Sequence, residues 1–199
     1  MNAVETYLNT ISPLSPDALV AVLALFKPAA LPKGTFIAKA GRVETQIGML
    51  TEGVVRAFFR NAEGEEYNKT LFTPITFVGA YASLITGEPN QINLQTLTDV
   101  SLMTAPYAAL TALYDTHPDV ERLARRLAER YYVAKEQREV EIVMLDARQR
   151  YLLFQQRFPL LEQQIPQYHV ASYLGITPTQ LSRIRRGFAE GRRDATAGR

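Results

Sequence analysis

Residues 165–188, IPQYHVASYLGITPTQLSRIRRGF, hold the pattern that decides the fold of the C-terminal part. Two short amphipathic segments flank Gly175, and Thr177-Pro178 suits a cap followed by the first position of a helix. The apolar positions that we expect to pack against each other are Val170, Ala171, Leu174, Leu181 and Ile184. The pattern predicts a helix-turn-helix, although a helical hairpin that packs and binds nothing has the same periodicity.

The side chains left on the outer side of the second helix suit DNA. Arginine can hold guanine O6 and N7, glutamine can pair with adenine, and serine or threonine can contact bases or phosphates. The candidate DNA-binding residues are Thr177, Thr179, Gln180, Ser182, Arg183, Arg185 and Arg186. The arginines that we expect at phosphates are Arg185, Arg186, Arg192 and Arg193.

Charge is unevenly distributed along the chain. Residues 1–118 hold 7 lysines and arginines against 10 aspartates and glutamates, a net charge of −3. Residues 119–199 hold 15 against 10, a net charge of +5, and residues 165–199 alone have a net charge of +4. A cationic C-terminal part indicates a polyanionic partner, while a merely solvated surface is the alternative.

Residues from Pro28 to about Met103 consist of short runs rich in β-branched and aromatic side chains. These runs lie at 36–38, 47–50, 54–59, 68–72 and 92–97. Glycines separate them, and Glu52-Gly53 and Glu63-Gly64 have the composition of tight turns. Short strands at such intervals predict an antiparallel sandwich or barrel, preceded by a helical segment over 4–26.

Residues 119–157 contain no proline or glycine, and apolar residues recur there at steps of three and four. The recurring positions are Val120, Leu123, Ala124, Leu127, Tyr131, Ala134, Ile142 and Leu145. One helix over 120–145 would be about 39 Å long, more than a small domain needs to cover its core. We therefore expect a homodimer through residues 120–145, with a helix lying across its own sheet as the alternative. Asp146 has the position of an N-cap for a further helix.

The order of helix, β-roll, long helix and helix-turn-helix resembles that of the Crp/Fnr transcription regulators over nearly the whole chain. The clearest likeness lies in ASYLGITP at 171–178 and LSRIR at 181–185, which match the helix-turn-helix motif of that family. The resemblance implies an α+β fold in three parts. They are an antiparallel β-roll or jelly-roll sensor domain over 1–118, a dimerisation helix over 119–145 and a winged helix-turn-helix DNA-binding domain over 146–199.

The resemblance places Thr179, Ser182 and Arg183 at the bases. Thr179 stands where many members have glutamate, so their operator sequence does not carry over. In members that bind cyclic AMP, a glutamate accepts a hydrogen bond from the ribose hydroxyl and an arginine neutralises the phosphate. Ala80 and Asn90 stand at these two places here. Because a buried phosphate without a cation is poorly compensated, we do not expect cyclic AMP as the effector.

A pocket for another small molecule is the remaining expectation for the sensor domain. Its lining would be Gly79, Ala80, Tyr81, Asn90, Gln91 and Lys135. A sensor domain that takes no effector is the equal alternative, and in that case Tyr81 simply packs under the roll.

Composition argues against an enzyme. The chain has no cysteine and two histidines, His117 and His169, which excludes disulfides and cysteine-ligated clusters and nearly excludes multi-histidine metal sites. A metal-dependent barrel enzyme needs histidines on its strands, but residues 28–103 contain none. We therefore predict no catalytic residue, no metal and no cofactor. His117 is expected at the surface, and His169 as a capping or packing residue of the helix-turn-helix.

Together these features predict a cytoplasmic, sequence-specific transcription regulator that binds an inverted repeat as a homodimer. Its expected partners are double-stranded DNA, a second copy, a small-molecule effector of unknown identity and RNA polymerase. No apolar run approaches the roughly 20 residues of a membrane span, and the start MNAVETYLNT lacks the pattern of a signal peptide. The alternative is a dimeric interaction module with the cyclic nucleotide-binding fold that has lost DNA binding.

Overall fold

The computed structural model describes residues 3–197, with the side chains of residues 3–190. Its strands all lie between Lys27 and Pro106, where the β-branched and aromatic runs predict them. They are β1 (Lys27–Leu31), β2 (Phe36–Ala38), β3 (Gln46–Glu52), β4 (Val55–Arg60), β5 (Glu66–Phe72), β6 (Thr76–Val78), β7 (Asn93–Thr96) and β8 (Val100–Pro106).

The strands form two antiparallel sheets that share an apolar core. One sheet has the strand order β1-β8-β3-β6 and the other β2-β7-β4-β5. Leu50 and Leu102 from the first sheet pack with Val55 and Leu94 from the second, and all four are buried. The predicted antiparallel sandwich is therefore confirmed, in the form of a β-roll.

Both predicted tight turns are present at glycines. Gly53 and Gly64 each have a φ of +84°, which is the left-handed conformation that other residues rarely adopt. At Gly53 a Cβ atom would also collide with the carbonyl oxygen of Asp99. This turn between β3 and β4 therefore requires glycine.

The remaining elements are helices. They are α1 (Ala3–Ile11), α2 (Pro16–Leu25), α3 (Tyr81–Thr86), α4 (Tyr107–Ala112), α5 (Pro118–Met144), α6 (Ala147–Arg157), α7 (Leu161–Gln164), α8 (Gln167–Leu174) and α9 (Pro178–Ala197). As predicted, α5 is one long helix and Asp146 caps α6. The carboxylate of Asp146 accepts a hydrogen bond of 2.8 Å from the backbone N–H of Gln149. The side-chain oxygen of Gln149 accepts one of 3.0 Å from the backbone N–H of Asp146.

The first half of α5 packs against its own chain. Val120 and Leu123 are buried, and Leu127 packs into an apolar cluster with α1 and β3. Tyr131 donates a hydrogen bond of 3.1 Å from its hydroxyl to a backbone carbonyl of β6. Our assignment of Val120 and Leu123 to a seam with a second copy is therefore wrong, because helical periodicity marks a buried face without telling which chain covers it.

The second half of α5 carries apolar side chains that its own chain leaves exposed. Val133, Val140, Val143 and Met144 are all more than half exposed. Val133, Val140 and Met144 are spaced by seven and four residues, so they lie on one side of the helix. The face available to a second copy is this one, which the sequence analysis did not single out.

Helices α6, α8 and α9 share an apolar core. Phe154 from α6, Val170 and Leu174 from α8 and Leu181 from α9 are each at most 1% exposed. Between Tyr107 and the end of the described chain there are only helices and short connections, and those that join α6, α7, α8 and α9 have at most three residues. Such connections are too short for a hairpin, so residues 107–197 lack the wing that the resemblance implies.

Helix α8 packs on β5 through polar contacts. The backbone N–H of Asn68 donates to Ser172 Oγ over 2.9 Å, and this hydroxyl donates to the carbonyl oxygen of Glu66 over 3.1 Å. Asn68 Nδ2 donates to the carbonyl oxygen of His169 over 2.9 Å. The β-roll side chains that join the C-terminal apolar core are Val54, Leu71 and Leu97. The β-roll and the helix-turn-helix are therefore packed against each other.

A buried arginine of β4 lies at the same contact. Arg56 is 5% exposed, and its Nη1 is 2.6 Å from Glu66 Oε2 and 3.4 Å from His169 Nδ1. Its Nε and Nη2 donate to Gln95 Oε1 over 3.1 and 2.7 Å. Arg56 and Asn68 both direct N–H donors at His169 Nδ1, so this nitrogen accepts and Nε2 carries the proton. We name Arg56, Glu66, Asn68, Gln95 and His169 the Arg56 cluster.

Burial and neighbouring charges set the protonation of the Arg56 cluster. Burial, followed by the charge of Arg56, lowers the pKa of His169 to about 4, so this side chain is neutral at neutral pH. Burial alone would raise the pKa of Glu66, but hydrogen bonds from Arg60 and Arg56 outweigh burial and lower it. The contact between β-roll and α8 thus contains one paired carboxylate and an uncharged histidine.

We predict that His169 makes the free energy of unfolding increase with pH between about 4 and 6.5. Over this window the unfolded chain binds the proton that the folded chain rejects, so stability is lost as the pH falls. The slope from one such group is at most about 1.4 kcal/mol per pH unit. Urea unfolding at pH 4.5 to 7.5 measures it. The variant His169→Gln should have a smaller slope than the wild type, and equal slopes in the two proteins would contradict the assignment.

Candidate nucleic-acid interface

The turn between α8 and α9 is built from three local features. Gly175 ends α8 with a φ of +68°, in the left-handed region. Thr177 Oγ1 accepts a hydrogen bond of 3.2 Å from the backbone N–H of Gln180, and Gln180 Oε1 accepts one of 3.0 Å from the backbone N–H of Thr177. Pro178 is the first residue of α9. The predicted helix-turn-helix geometry is therefore confirmed at each of these positions.

Helix α9 has one face in the core and one in solvent. Leu181 is buried and Ile184 packs against the same core, as expected. Thr179, Ser182 and Arg183 are exposed, and within residues 3–190 their side chains make no hydrogen bond or ion pair. Positions three and four apart lie on one side of a helix, so these three side chains form one surface. We name this surface the α9 outer face.

Some candidate DNA-binding residues are engaged within the protein. The Thr177 hydroxyl and the Gln180 side-chain oxygen form the cap of α9. Arg185 Nε lies 3.7 Å from Glu162 Oε2, while Arg186 is exposed. Two further arginines that we expect at phosphates, Arg192 and Arg193, lie outside the residues whose side chains are described.

Glu162 of α7 links the helices beneath the α9 outer face. It accepts a hydrogen bond of 2.8 Å from the hydroxyl of Tyr151 and one of 3.1 Å from Gln155 Nε2, both on α6. Burial, followed by the hydrogen bond to Glu162, raises the pKa of Tyr151 to about 12. Tyr151 therefore stays protonated and donates, which leaves Glu162 as the shared acceptor for α6 and for Arg185 of α9.

In the β-roll, the two positions at which the resemblance implies other residues in members that bind cyclic AMP are both buried. Ala80 is 1% exposed and belongs to the apolar core between the sheets. Asn90 is 5% exposed, and its side chain bonds to the backbone of its own loop. Its Nδ2 donates to the carbonyl oxygen of Ile92, and its Oδ1 accepts from the N–H of Ile92 over 3.3 Å. Neither position offers a cation to a phosphate.

The other four residues of the predicted effector pocket are Gly79, Tyr81, Gln91 and Lys135. Tyr81 is 47% exposed and packs edge-on against Tyr107, with ring centroids 6.2 Å apart. Gln91 is exposed, and Lys135 Nζ lies 3.3 Å from a carboxylate oxygen of Glu139. Two grooves among the described residues, one between α1 and α5 and one between β5 and α8, are lined by other side chains. The effector pocket stays a prediction.

The Arg56 cluster was missed by the sequence analysis, although His169 packs as expected. The available signal was a single arginine inside the apolar run VVRAFF at 54–59. A charged residue at an inward position of a strand indicates a buried partner. Its partners on β5 and α8 are distant in sequence, so the run alone does not identify them.

Two further observations concern metals and membranes. Among the residues that the structure describes, no three histidine, aspartate or glutamate side chains are grouped so that they could hold a metal ion. Within residues 3–197, no helix is both long and apolar enough to cross a membrane. The two histidines lie apart, His117 just before α5 and His169 in α8.

One comparison with known proteins finds a match for the β-roll. Residues 28–117 match the family model described as cyclic nucleotide-binding domain. No curated protein sequence matches the chain.

Solved structures match most of the chain at low sequence identity. CLP of Xanthomonas campestris, described as a c-di-GMP responsive global regulator, is 18% identical over 89% of this chain and 93% of its own, with a TM-score of 0.69. FixK2 of Bradyrhizobium japonicum is 16% identical over 83% and 85%, with a TM-score of 0.72. A protein of Eubacterium rectale, assigned to the Crp/Fnr family of transcriptional regulators, is 16% identical over 89% and 85%, with a TM-score of 0.70.

These matches agree with the architecture described above. The family model covers nearly all of the β-roll, and the solved structures match 83–89% of the chain. Residues 28–117 thus match the model of the cyclic nucleotide-binding domain, and over most of its length the chain has a fold similar to that of Crp/Fnr transcription regulators, as the sequence resemblance predicts.

Proposed function

We propose that this protein is a sequence-specific DNA-binding transcription regulator of the Crp/Fnr type that binds an inverted repeat as a homodimer. The observation that carries the proposal is the α9 outer face, where Ser182 and Arg183 are exposed while Leu181 anchors the helix in the core. A helix held in this way can enter the major groove of DNA without losing its own packing.

The α9 outer face would supply base recognition. Thr179, Ser182 and Arg183 lie in the first two turns of α9, the part of a recognition helix that comes nearest to base edges. Arg183 is free to donate two hydrogen bonds to guanine O6 and N7. Ser182 and Thr179 can contact neighbouring bases or phosphates.

Positive side chains around this face would bind the DNA backbone. Arg186 is exposed, and Arg185 can leave its 3.7 Å pairing with Glu162 at little cost because its side chain is 44% exposed and the pairing is long. Thr177 and Gln180 stabilise the start of α9, and Gln180 retains its amide N–H donors for an acceptor on DNA. These contacts add affinity that depends on salt but not on sequence.

A second copy would be held by the exposed apolar face of α5. Val133, Val140 and Met144 can pair with the same residues of a partner helix in a parallel seam. Two recognition helices carried by such a dimer should lie about 34 Å apart, which is one turn of DNA. The target is therefore an inverted repeat.

In the proposed function, the β-roll does not bind cyclic AMP, because Ala80 and Asn90 provide no cation for its phosphate. An effector of another kind would act only by binding the DNA-competent arrangement more tightly than the alternative one. The proposed role places the protein in the cytoplasm with DNA, with RNA polymerase as a further partner. No catalytic residue, metal or cofactor is part of the proposal.

Selection of bound fragments from a random DNA pool tests the function directly. The expected product is an inverted repeat whose half-sites are centred about 10 base pairs apart, with an affinity that falls steeply as salt increases. Repeating the selection with small metabolites from a cell extract tests for an effector. Uniform weak retention of all fragments would favour the alternative, a dimeric interaction module without DNA binding.

Replacing Arg183 by alanine should weaken binding to the selected site by about 1–3 kcal/mol and relax the preference at one base pair of each half-site. Fluorescence anisotropy with a set of single-base operator variants measures both effects. Arg42→Ala removes the same charge from an exposed position of the β-roll and should leave the base preference unchanged. Equal weakening on every sequence would show that Arg183 does not contact a base.

Replacing Val140 by glutamate should convert the dimer to a monomer, because an unpaired carboxylate at an apolar seam is costly to desolvate. Sedimentation velocity measures the association state. The matched control is Val20→Glu on α2, which makes the same change at a site that is 69% exposed. A dimeric Val140→Glu protein would exclude this face of α5 as the seam.

A further inference from the structure

We infer that Arg56 of the β-roll is a positioning residue for DNA recognition: it fixes α8, and through α8 the recognition helix, in one orientation on the β-roll. The inference rests on the proposed function. It concerns a residue of the sensor domain that lies outside the helix-turn-helix.

The geometry of Arg56 restricts how α8 can sit. Its guanidinium is almost fully buried and is held from the β-roll side by Glu66 at 2.6 Å and by two hydrogen bonds to Gln95. Its Nη1 then meets His169 of α8 at 3.4 Å. These partners fix the plane of the guanidinium. Its Nη1 can therefore meet His169 only when α8 holds this residue at one position.

The hydrogen bonds of β5 restrict α8 in a second direction. Asn68 bonds to Ser172 through its backbone and to His169 through its side chain, at points one helical turn apart on α8. A rotation of α8 about either point would break the other contact and leave a buried polar group without a partner. Arg56 and Asn68 together therefore define both the position and the direction of α8.

Apolar packing transmits this orientation to α9. Val170 and Leu174 of α8 share a buried core with Leu181 of α9, and Gly175 closes a turn of three residues between the helices. On the other side, the β-roll is packed against α5 through Leu123. The path from the dimer helix to the recognition helix consequently runs through the β-roll as well as through the connection at Asp146 and through Arg138 of α5, which donates to the carbonyl oxygen of Tyr173 on α8.

A dimer built from such protomers has a defined distance between its two recognition helices. A dimer with a fixed distance should prefer one length of the DNA spacer between the two half-sites. Each base pair added to the spacer shifts a half-site by about 3.4 Å and rotates it by about 35°. Loosening α8 should therefore broaden the spacer preference, whereas loss of a base contact would leave it unchanged.

The test compares Arg56→Met with wild type on inverted repeats whose spacer is shortened or lengthened one base pair at a time. We expect Arg56→Met to bind the repeat with the best spacer about 2- to 30-fold more weakly than wild type does, and to lose much less affinity for the other repeats. The profile of affinity against spacer length should therefore flatten. Binding to unrelated DNA at low salt should not change. Arg60→Met is the matched control, since Arg60 also pairs with Glu66 but is 53% exposed, and it should keep the wild-type profile.

A second variant covers the case in which Arg56→Met does not fold. Ser172→Ala removes the hydroxyl that joins α8 to Asn68 and Glu66 with almost no change in volume, and it should flatten the same profile to a smaller degree. If folded variants at both positions keep the sharp wild-type optimum, the inference is wrong and the proposed function stands. If the wild-type protein itself prefers no inverted repeat, the proposed function fails first.

Discussion

The contact between α8 and the β-roll is the interaction on which the arrangement of this protein depends. Within the β-roll, an ion pair with Glu66 that is largely removed from water holds Arg56 against His169 of α8, and such a pair is costly to separate once formed. Apolar residues of the β-roll, including Leu71, continue into the core of the C-terminal helices. Because α8 makes these contacts, α9 does not need its outer face for packing, and Ser182 and Arg183 remain exposed.

The β-roll has the fold of a cyclic nucleotide-binding domain, and two residues of the predicted effector pocket are engaged within the protein. Ala80 extends the apolar core, and Asn90 uses its side chain to hold its own loop. A phosphate at this place would lose its hydration without gaining a cation. The same β-roll also packs against α8 and the first half of α5.

Sequence reasoning succeeded where the determining interactions are local. The turn at Gly175, the caps by Thr177 and Asp146, and the limits of α5 depend on residues within a few positions of one another. Prediction from the sequence failed where the contacting residues are far apart in the chain. Periodicity showed that α5 has an apolar stripe but not that its first half packs on the same chain, and nothing near Arg56 in the sequence points to His169. The wing came from the resemblance alone, and short connections leave no room for it in the described chain.

The distance between the two recognition helices in solution tests the central claim most directly. Since the chain has no cysteine, Ser182→Cys introduces a single attachment point for a spin label on each protomer. Electron–electron dipolar spectroscopy on the free protein should then give one narrow distance distribution centred near 34 Å, about one turn of DNA, before any DNA is added. A broad distribution without a maximum near this value, or no dipolar signal at all, would contradict an arrangement fixed by the packing of α8 on the β-roll.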